Sequence, residues 1–307
     1  MRTKRKKGVI LGSFLLSISL LAGCTVNTDK KPTEKIEGLD KLGAITVVTR
    51  EAGSGTRSVF AEKANLESKD TNSNGDSIRE DAVVAMNADA VMTQVETDQN
   101  AIGYISLSAV TEDMDNIKVI GVDGIKPEKH MIEKGSYPLV RDISIAYSGK
   151  MTDAENDFLN YILSAGQEVV ADKYIRVKRT STFLSDQSKG NLTINGSSSA
   201  TPLLEDLAKD YNKNYNKKVK IQIQTSDSTS GLTAAMQGSS DWGVSSRELK
   251  DYEKELLSYA KIAKDGVAVI VNKNNPTDTL TIEQLKEIFD GTDEKWEEVN
   301  ESKERIG

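Results

Sequence analysis

Apolar residues along the chain follow two patterns, which alternate through most of its length. Short runs that are continuously apolar, or apolar at every second position, predict strands, whereas apolar residues three or four positions apart predict helices. The predicted strands are residues 44–48, 101–107, 116–122, 140–147, 191–195, 219–224, 242–244, 259–263 and 267–271. The predicted helices are residues 58–68, 88–97, 153–171, 203–211, 228–237 and 281–289. Strands and helices joined by short turns indicate α/β layers, in which ligands bind at the carboxyl ends of strands.

Four of the predicted strands end in turns that are rich in glycine, serine or threonine and lead toward a helix. These turns are residues 49–57, 195–202, 225–231 and 244–247. Such turns direct several backbone N–H groups to one point, and each helix start contributes roughly 0.3–1 kcal/mol to the binding of an anion. Any one of them has an ordinary alternative, a strand-to-helix turn with an N-capping hydroxyl. Four together predict a site for a small tetrahedral anion.

Two arginines flank the first of these turns, Arg50 and Arg57. Either could offer a planar pair of N–H donors to an oxyanion. Gly53 and Gly55 allow the backbone angles that bring the donors of the turn together.

The composition indicates a soluble globular protein, since 37% of the 307 residues are hydrophobic and 28% are charged. The length suggests two domains. Five of the 40 basic residues stand within the first eight positions, and the other 35 are outnumbered by 47 acidic residues. This acidic balance argues against nucleic acid as a partner. It also means that local donors must hold any anion.

The amino terminus has the pattern of a secretory signal, with basic residues 1–7 followed by apolar residues 8–20. Residues 21–24 (Leu-Ala-Gly-Cys) resemble a bacterial lipoprotein box, which implies cleavage after residue 23 and lipidation of Cys24. Residues 24–42 are polar and are predicted to be a flexible tether. No second apolar run is long enough to span a membrane. The sequence thus predicts an exported protein on the outer face of a bacterial membrane.

Groups that could carry out catalysis or bind a metal are few. The single histidine, His130, lies in a polar segment, which disfavours a Ser-His-Asp hydrolase. No cluster has the spacing of metal ligands. Residues 69–77 contain the Asp, Asn and Gly of a calcium loop but lack its closing Glu, so a surface loop is expected there. We therefore expect neither an enzyme nor a cofactor or metal.

Several separate motifs of the chain resemble those of one known protein family. They are residues 48–57 (Val-Thr-Arg-Glu-Ala-Gly-Ser-Gly-Thr-Arg), 103–106 (Gly-Tyr-Ile-Ser), 196–199 (Gly-Ser-Ser-Ser), 245–249 (Ser-Ser-Arg-Glu-Leu), 265–272 and 285–289. Over about residues 43–300, the chain resembles the phosphate-binding proteins of bacterial ABC phosphate importers. This resemblance implies a two-lobed, periplasmic-binding-protein-like (type II) α/β fold with the ligand in a cleft between the lobes. It also implies binding of inorganic phosphate and its delivery to an ABC permease.

The order of the segments differs from that of the family. The family's second half comes first here, at about residues 43–185, and its first half follows at about residues 190–307. We interpret this order as a circular permutation, which predicts that Gly307 lies near residues 38–43. The alternative is that half-proteins complete each other by swapping between chains.

Mapping the family fold on this order gives predicted lobe boundaries. One lobe would be continuous, residues 108–267, and the other would combine residues 43–107 with 268–307. The crossings between lobes would fall near residues 104–107 and 267–272.

The resemblance also assigns ligand-binding residues. From one lobe they are Arg50, Ser54, Gly55 and Thr56, and from the other Ser199, Ala200, Thr201, Ser228 and Ser246.

Ser246 departs from the family pattern, because many members carry there an aspartate that accepts the proton of hydrogen phosphate. A site built only of donors cannot distinguish this ion from sulfate. Asp227 and Glu51 are candidate acceptors, but each has a structural alternative, as a helix cap or as a partner of Arg50 or Arg57. Alternative functions are the binding of another oxyanion such as sulfate or molybdate, and a non-transport adhesin or signalling lipoprotein.

Overall fold

The computed structural model of the chain describes residues 36–68 and 75–300, so the predicted signal peptide, Cys24, most of the tether and Gly307 lie outside the described residues. The strands within this part are β1 (Thr46–Arg50), β2 (Val83–Ala85), β3 (Ala101–Ser106), β4 (Ile117–Val122), β5 (Val140–Tyr147), β6 (Gly190–Ser197), β7 (Val219–Ser226), β8 (Trp242–Ser245), β9 (Ser258–Asn272) and β10 (Thr279–Leu280). The α-helices are α1 (Gly55–Lys63), α2 (Ala88–Thr97), α3 (Lys129–Glu133), α4 (Asp153–Ile162), α5 (Gln167–Lys173), α6 (Thr201–Asn214), α7 (Ser228–Gln237), α8 (Asp251–Leu256) and α9 (Ile282–Phe289). Short 3-10 helices are formed by Leu39–Lys41, Leu107–Ala109 and Trp296–Asn300.

All of these strands join in one hydrogen-bonded network, and β9 is the strand that connects its two parts. The order is β2-β1-β3-β9-β5-β8-β6-β7, with β4 added to β9 and β10 added to β4. The first half of β9 pairs antiparallel with β5, and its second half pairs antiparallel with β3 and β4. The parallel pairs β1–β3 and β6–β8 flank this centre and bring the carboxyl ends of β1 and β6 toward it.

Two large hydrophobic cores lie on the two parts of this network. One contains Phe60, which stacks on Tyr104 with ring centroids 4.1 Å apart. The other contains Phe158, which stacks on Trp242 with centroids 5.6 Å apart. Each core is formed mainly between strands and helices of one part of the network, so the α/β fold is two-lobed, as predicted.

The sheet pairing favours a boundary between the lobes that differs from the predicted one. Ile120 and Leu139 belong to the same core as Phe60, although residues 108–139 were expected in the other lobe. β4 returns to the second half of β9, which favours a crossing after residue 139 over the predicted one near residues 104–107. At that point Val267 N donates to Leu139 O at 2.8 Å.

We therefore propose lobe 1 as residues 36–139 with 267–300, and lobe 2 as residues 140–266, in place of the division at residue 108.

The two ends of the described chain meet, as a circular permutation requires. Ile45 N donates to Glu294 O at 2.8 Å, and Ala44 forms an antiparallel bridge with Lys295. The buried Trp296 donates from its indole Nε1 to Asn100 O at 2.9 Å. These contacts within one chain favour a circular permutation over swapping between chains.

Several predicted elements are confirmed with their bounds, including α2, β5 and α7. The helix α9 opens with a capping box. Gln284 N donates to Thr281 Oγ1 at 3.1 Å, and Thr281 N donates to Gln284 Oε1 at 2.9 Å. Among the described residues, no helix combines the length and the hydropathy needed to cross a bilayer.

The predicted continuity of elements was wrong at two places in the chain. Residues 153–171 form two helices because the chain turns tightly at Gly166, where a Cβ would lie only 3.0 Å from backbone atoms of Tyr161 and Ile162. Conversely, the two strands predicted at 259–263 and 267–271 are one strand, β9. Residues 264–266 between them are polar or glycine and interrupt the apolar pattern, but their backbone continues the pairing with β5. The short elements β2, α3, α8 and β10 carry too few residues for a periodicity to show.

Candidate functional site

The turn between β1 and α1 is held from within lobe 1. Ser54 caps α1, because its Oγ accepts a hydrogen bond from Arg57 N at 3.4 Å. The guanidinium of Arg57 donates to both oxygens of Asp76, at 2.7 and 2.9 Å, and its Nη1 donates to Arg50 O at 2.8 Å. Arg57 thus stabilises the turn from its buried side.

Beneath this turn lies Tyr104, whose hydroxyl is 2.6 Å from Thr49 Oγ1 and accepts from Arg50 N at 3.3 Å. Burial raises the pKa of Tyr104 to about 12. At neutral pH it is therefore an uncharged hydroxyl that supports the backbone of the turn.

Arg50 is buried at the end of β1 and binds its neighbour Glu51. Its Nε and Nη2 each donate to one carboxylate oxygen of Glu51, both at 2.8 Å. Nε also donates to Ala85 O and Nη2 to Met86 O, both at 3.2 Å. The same Nη2 donates to Ser198 Oγ of lobe 2 at 3.0 Å. Glu51 therefore has the structural role that the sequence left open, as the ion-pair partner of Arg50.

A group of hydroxyls from separate turns meets between the lobes, and we call it the hydroxyl cluster. Its members are Thr56, Ser197, Ser199, Ser228 and Ser246. Ser246 Oγ lies at its centre, at 2.9 Å from Ser197 Oγ, 3.2 Å from Ser199 Oγ and 3.4 Å from Ser228 Oγ. Hydroxyls can donate or accept, so this network can turn its protons toward an anion.

The charged centre of the hydroxyl cluster is Arg141, which the sequence analysis missed. Its Nη1 donates to Thr56 Oγ1 at 2.7 Å and to Ser246 Oγ at 3.2 Å, and its Nη2 donates to Ser199 Oγ at 3.0 Å. It thereby connects a residue of lobe 1 to residues of lobe 2. Its side chain is fully buried.

The partner of Arg141 is Asp265 of β9, which is also buried. Asp265 Oδ2 accepts from Arg141 Nε at 3.0 Å, from Arg141 Nη2 at 2.7 Å and from Ser106 Oγ at 2.7 Å. One sequence signal could have identified the pair: Arg141 shares its strand face with the buried Ile143 and Ile145. A charged residue on an apolar strand face is seldom left without a partner or a role.

The structure brings most of the predicted binding residues together. Gly55 lies against lobe 2, since a Cβ there would be 2.4 Å from both Ser228 Oγ and Ser246 Oγ. The helix α6 begins here too, with Ala200 at its N-cap and Thr201 at its first position. Two donors of these residues already have a partner in the protein. Ala200 N donates to Ser197 O at 3.0 Å, and Thr201 Oγ1 donates to the same oxygen at 3.2 Å.

Asp227 caps α7 and closes the gap between the turns of the two lobes. Its Oδ1 accepts from Ser230 N at 2.9 Å and its Oδ2 from Ser230 Oγ at 2.6 Å. Gly53, with φ at +87°, packs so closely that a Cβ would lie 2.5 Å from Asp227 Oδ1. Thr229 N donates to Gly53 O at 3.3 Å. Asp227 therefore has the cap role that the sequence left open.

The arrangement is suited to binding an anion. Three helices, α1, α6 and α7, begin at the hydroxyl cluster, and their first N–H groups lack partners within the helix. The guanidiniums of Arg50 and Arg141 are each paired with a carboxylate, so helix dipoles and hydroxyls would act together with these arginines in holding an anion. His130 lies elsewhere, half exposed in α3 and 3.2 Å from Glu128. No group of His, Cys, Asp or Glu in residues 36–68 and 75–300 is arranged to hold a metal ion.

Comparison with known proteins gives consistent matches to one group. A family model described as a PBP superfamily domain matches residues 30–165 and 181–306. "Phosphate-binding protein PstS 2" of Streptococcus agalactiae is 36% identical over 307 residues, covering 98% of this chain and all of that protein. The crystal structure of a phosphate-binding protein of a phosphate ABC transporter from Streptococcus pneumoniae matches with a TM-score of 0.70 and 36% identity. That match covers 84% of this chain and 100% of the solved one.

A shorter match is also informative. "Phosphate-binding protein PstS" of Staphylococcus saprophyticus is 39% identical over 124 residues, which is 38% of this chain and 39% of that protein. The S. agalactiae relative therefore aligns from end to end in the same segment order, whereas the staphylococcal one aligns over less than half of either chain.

Proposed function

Since this chain belongs to the PBP superfamily, and within it to the family of phosphate-binding proteins, we propose that it is an extracytoplasmic receptor that binds inorganic phosphate and delivers it to an ABC permease. The observation that carries the proposal is the buried guanidinium of Arg141, hydrogen-bonded to hydroxyls from both lobes. Because water is excluded there, each donor acts in a medium of low dielectric and interacts strongly with an anion.

We further propose which residues contact the phosphate. They are the predicted Arg50, Ser54, Gly55, Thr56, Ser199, Ala200, Thr201, Ser228 and Ser246, with Arg141 added. Thr56 and Arg141 belong to different lobes, and their hydrogen bond at 2.7 Å supports a site that forms as the lobes close. A binding step coupled to closure is suited to delivery, since a permease can distinguish the closed form from the open one.

Lipid attachment at Cys24 remains part of the proposal, with the tether of residues 24–42 linking the receptor to the outer face of the membrane. The permuted order is also proposed. Its support is the contact of residues 43–45 with 294–296 and the half-length match to the staphylococcal relative. A collinear alignment can follow only one half of a permuted pair.

The test is calorimetric titration of the full chain, purified in detergent, with phosphate, sulfate and molybdate. We expect phosphate to bind with a dissociation constant of about 1 μM, equivalent to about −8 kcal/mol. Sulfate in excess should not displace it. Preferential binding of sulfate or molybdate would identify another oxyanion receptor. Binding of none of the three would favour an adhesin or signalling lipoprotein.

A further inference from the structure

Rejection of sulfate needs an acceptor for the proton of hydrogen phosphate, and each oxygen of the carboxylates nominated by the sequence already accepts a hydrogen bond from the protein. Both oxygens of Glu51 accept from Arg50, and both oxygens of Asp227 accept from Ser230. Hydroxyls cannot replace them, because a hydroxyl can offer its proton to sulfate as readily as its lone pair to phosphate.

One carboxylate beside the hydroxyl cluster has an oxygen to spare. Asp265 is only 1% exposed, and its Oδ2 takes three hydrogen bonds from Arg141 and Ser106. Its Oδ1 is buried and accepts no hydrogen bond from any donor in residues 36–68 or 75–300. A buried acceptor without a donor is costly, so it marks a position where a donor from outside the protein would be stabilised.

The position of Asp265 links it directly to the donors of the site. Its Oδ2 lies 2.7 Å from Arg141 Nη2, and that nitrogen lies 3.0 Å from Ser199 Oγ. A ligand that reaches the guanidinium therefore comes within the range of the same carboxylate. A bound ion without a proton would bring two acceptors together in a buried space, which is unfavourable.

We propose that Asp265 is the specificity-determining acceptor of this site: its Oδ1 accepts the hydrogen bond of the protonated oxygen of hydrogen phosphate and repels sulfate. This inference rests on the proposed function. Asp265 thus supplies the carboxylate that is missing at Ser246. The same residue also orients Arg141, so it couples the main donor to the acceptor.

The test compares Asp265→Asn with the unchanged full chain by calorimetry, using inorganic phosphate and sulfate as ligands. The amide keeps an oxygen for Arg141 but replaces the second acceptor by a donor. Phosphate affinity should fall on the order of 10- to 100-fold, as expected for a lost hydrogen bond to a charged group. Sulfate affinity should stay or rise, so the preference for phosphate collapses. If both affinities fall by the same factor, or neither changes, Asp265 only positions Arg141 and the inference is wrong.

A rescue variant and a control sharpen this result. Ser246→Asp combined with Asp265→Asn should restore part of the phosphate preference, because a carboxylate returns to the hydroxyl cluster. Asp157→Asn removes another buried carboxylate of lobe 2, one that accepts from Tyr211 and Ser185 away from the site. It should leave the ratio of phosphate to sulfate affinity unchanged; a changed ratio would show that any buried carboxylate matters and would overturn the assignment.

Ligand chemistry gives a test that does not depend on folding of a variant. Monofluorophosphate has the shape and charge of hydrogen phosphate but carries fluorine in place of the hydroxyl. The unchanged chain should bind it about as weakly as sulfate. Equal binding of phosphate and monofluorophosphate would show that no acceptor operates and would refute the role of Asp265. Failure of the unchanged chain to bind phosphate at all would instead refute the proposed function.

Discussion

The two arginines at the cleft, one from each lobe, have similar surroundings but different use of their donors. Arg50 of lobe 1 gives two nitrogens to both oxygens of Glu51 and also binds two backbone carbonyls. Arg141 of lobe 2 binds a single oxygen of Asp265, and its Nη1 donates to the hydroxyls of Thr56 and Ser246. Each also reaches across the cleft, Arg50 to Ser198 and Arg141 to Thr56.

This difference indicates how the work of binding is divided. The positive charge of Arg50 is largely neutralised by a carboxylate held in a two-pronged ion pair. The charge of Arg141 is shared with one oxygen only, in a place where both partners are buried. Low dielectric strengthens the field of Arg141 at the hydroxyl cluster more than that of Arg50. We infer that Arg141 contributes more to anion affinity.

The strongest test of this comparison is Arg141→Ala. It removes the donor to Thr56, Ser199 and Ser246 and leaves Asp265 buried without its partner. We expect phosphate affinity to fall at least about 100-fold, and stability to fall by about 3–5 kcal/mol, as for a broken buried ion pair. Titration calorimetry measures the first effect and chemical denaturation the second.

The matched control is Arg247→Ala, which breaks another buried pair of lobe 2, that with Glu253 at 2.8 Å. It should cost comparable stability but much less affinity. Equal losses of affinity in the two variants would contradict the special role of Arg141.

The sequence surroundings of the two arginines also show what could and could not be predicted from the sequence. Arg50 stands inside a continuous motif, so a local pattern of strand, turn and helix was enough to place it. Arg141 and Asp265 are 124 positions apart and meet only because β5 pairs with β9. Arg141 looked like an isolated polar residue in an apolar strand. Asp265 begins the motif of residues 265–272, but it fell in the polar break between two predicted strands.

The same reasoning explains why many helices and strands were predicted correctly from the sequence. Element types depend on local periodicity, and the capping box of Thr281 acts over three residues. The lobe boundary depends instead on which half of β9 pairs with β4. The residues of β4 do not show this, because strands of similar pattern could pair with either half. Likewise, the structural roles of Glu51 and Asp227 were foreseen as alternatives, but the hydrogen bonds that their carboxylates form depend on how the turns pack in the folded chain.

A smaller effect is expected for Arg50→Ala. The variant removes one guanidinium from the cleft. The Glu51 side chain that it leaves behind is already 12% exposed. Water can therefore solvate it, and less stability is lost than in Arg141→Ala. Phosphate affinity should fall on the order of 10-fold, the lower end for a hydrogen bond to a charged group. Calorimetry at matched ionic strength measures it. A loss greater than that of Arg141→Ala would reverse the comparison, and full retention would remove Arg50 from the site.

The smallest effect should follow from Ser198→Ala, which deletes only the contact of Arg50 with lobe 2 at 3.0 Å. Arg50 keeps its pair with Glu51, and its freed N–H can turn to the ligand or to water. The change should cost about 0.5–1 kcal/mol of closure, a two- to fivefold loss of affinity. Ser197→Ala in the hydroxyl cluster is the matched comparison, since Ser197 Oγ lies 2.9 Å from Ser246 Oγ. If Ser198→Ala proves more damaging than Ser197→Ala, the contact made by Arg50 across the cleft, rather than the cluster around Arg141, governs closure of the lobes.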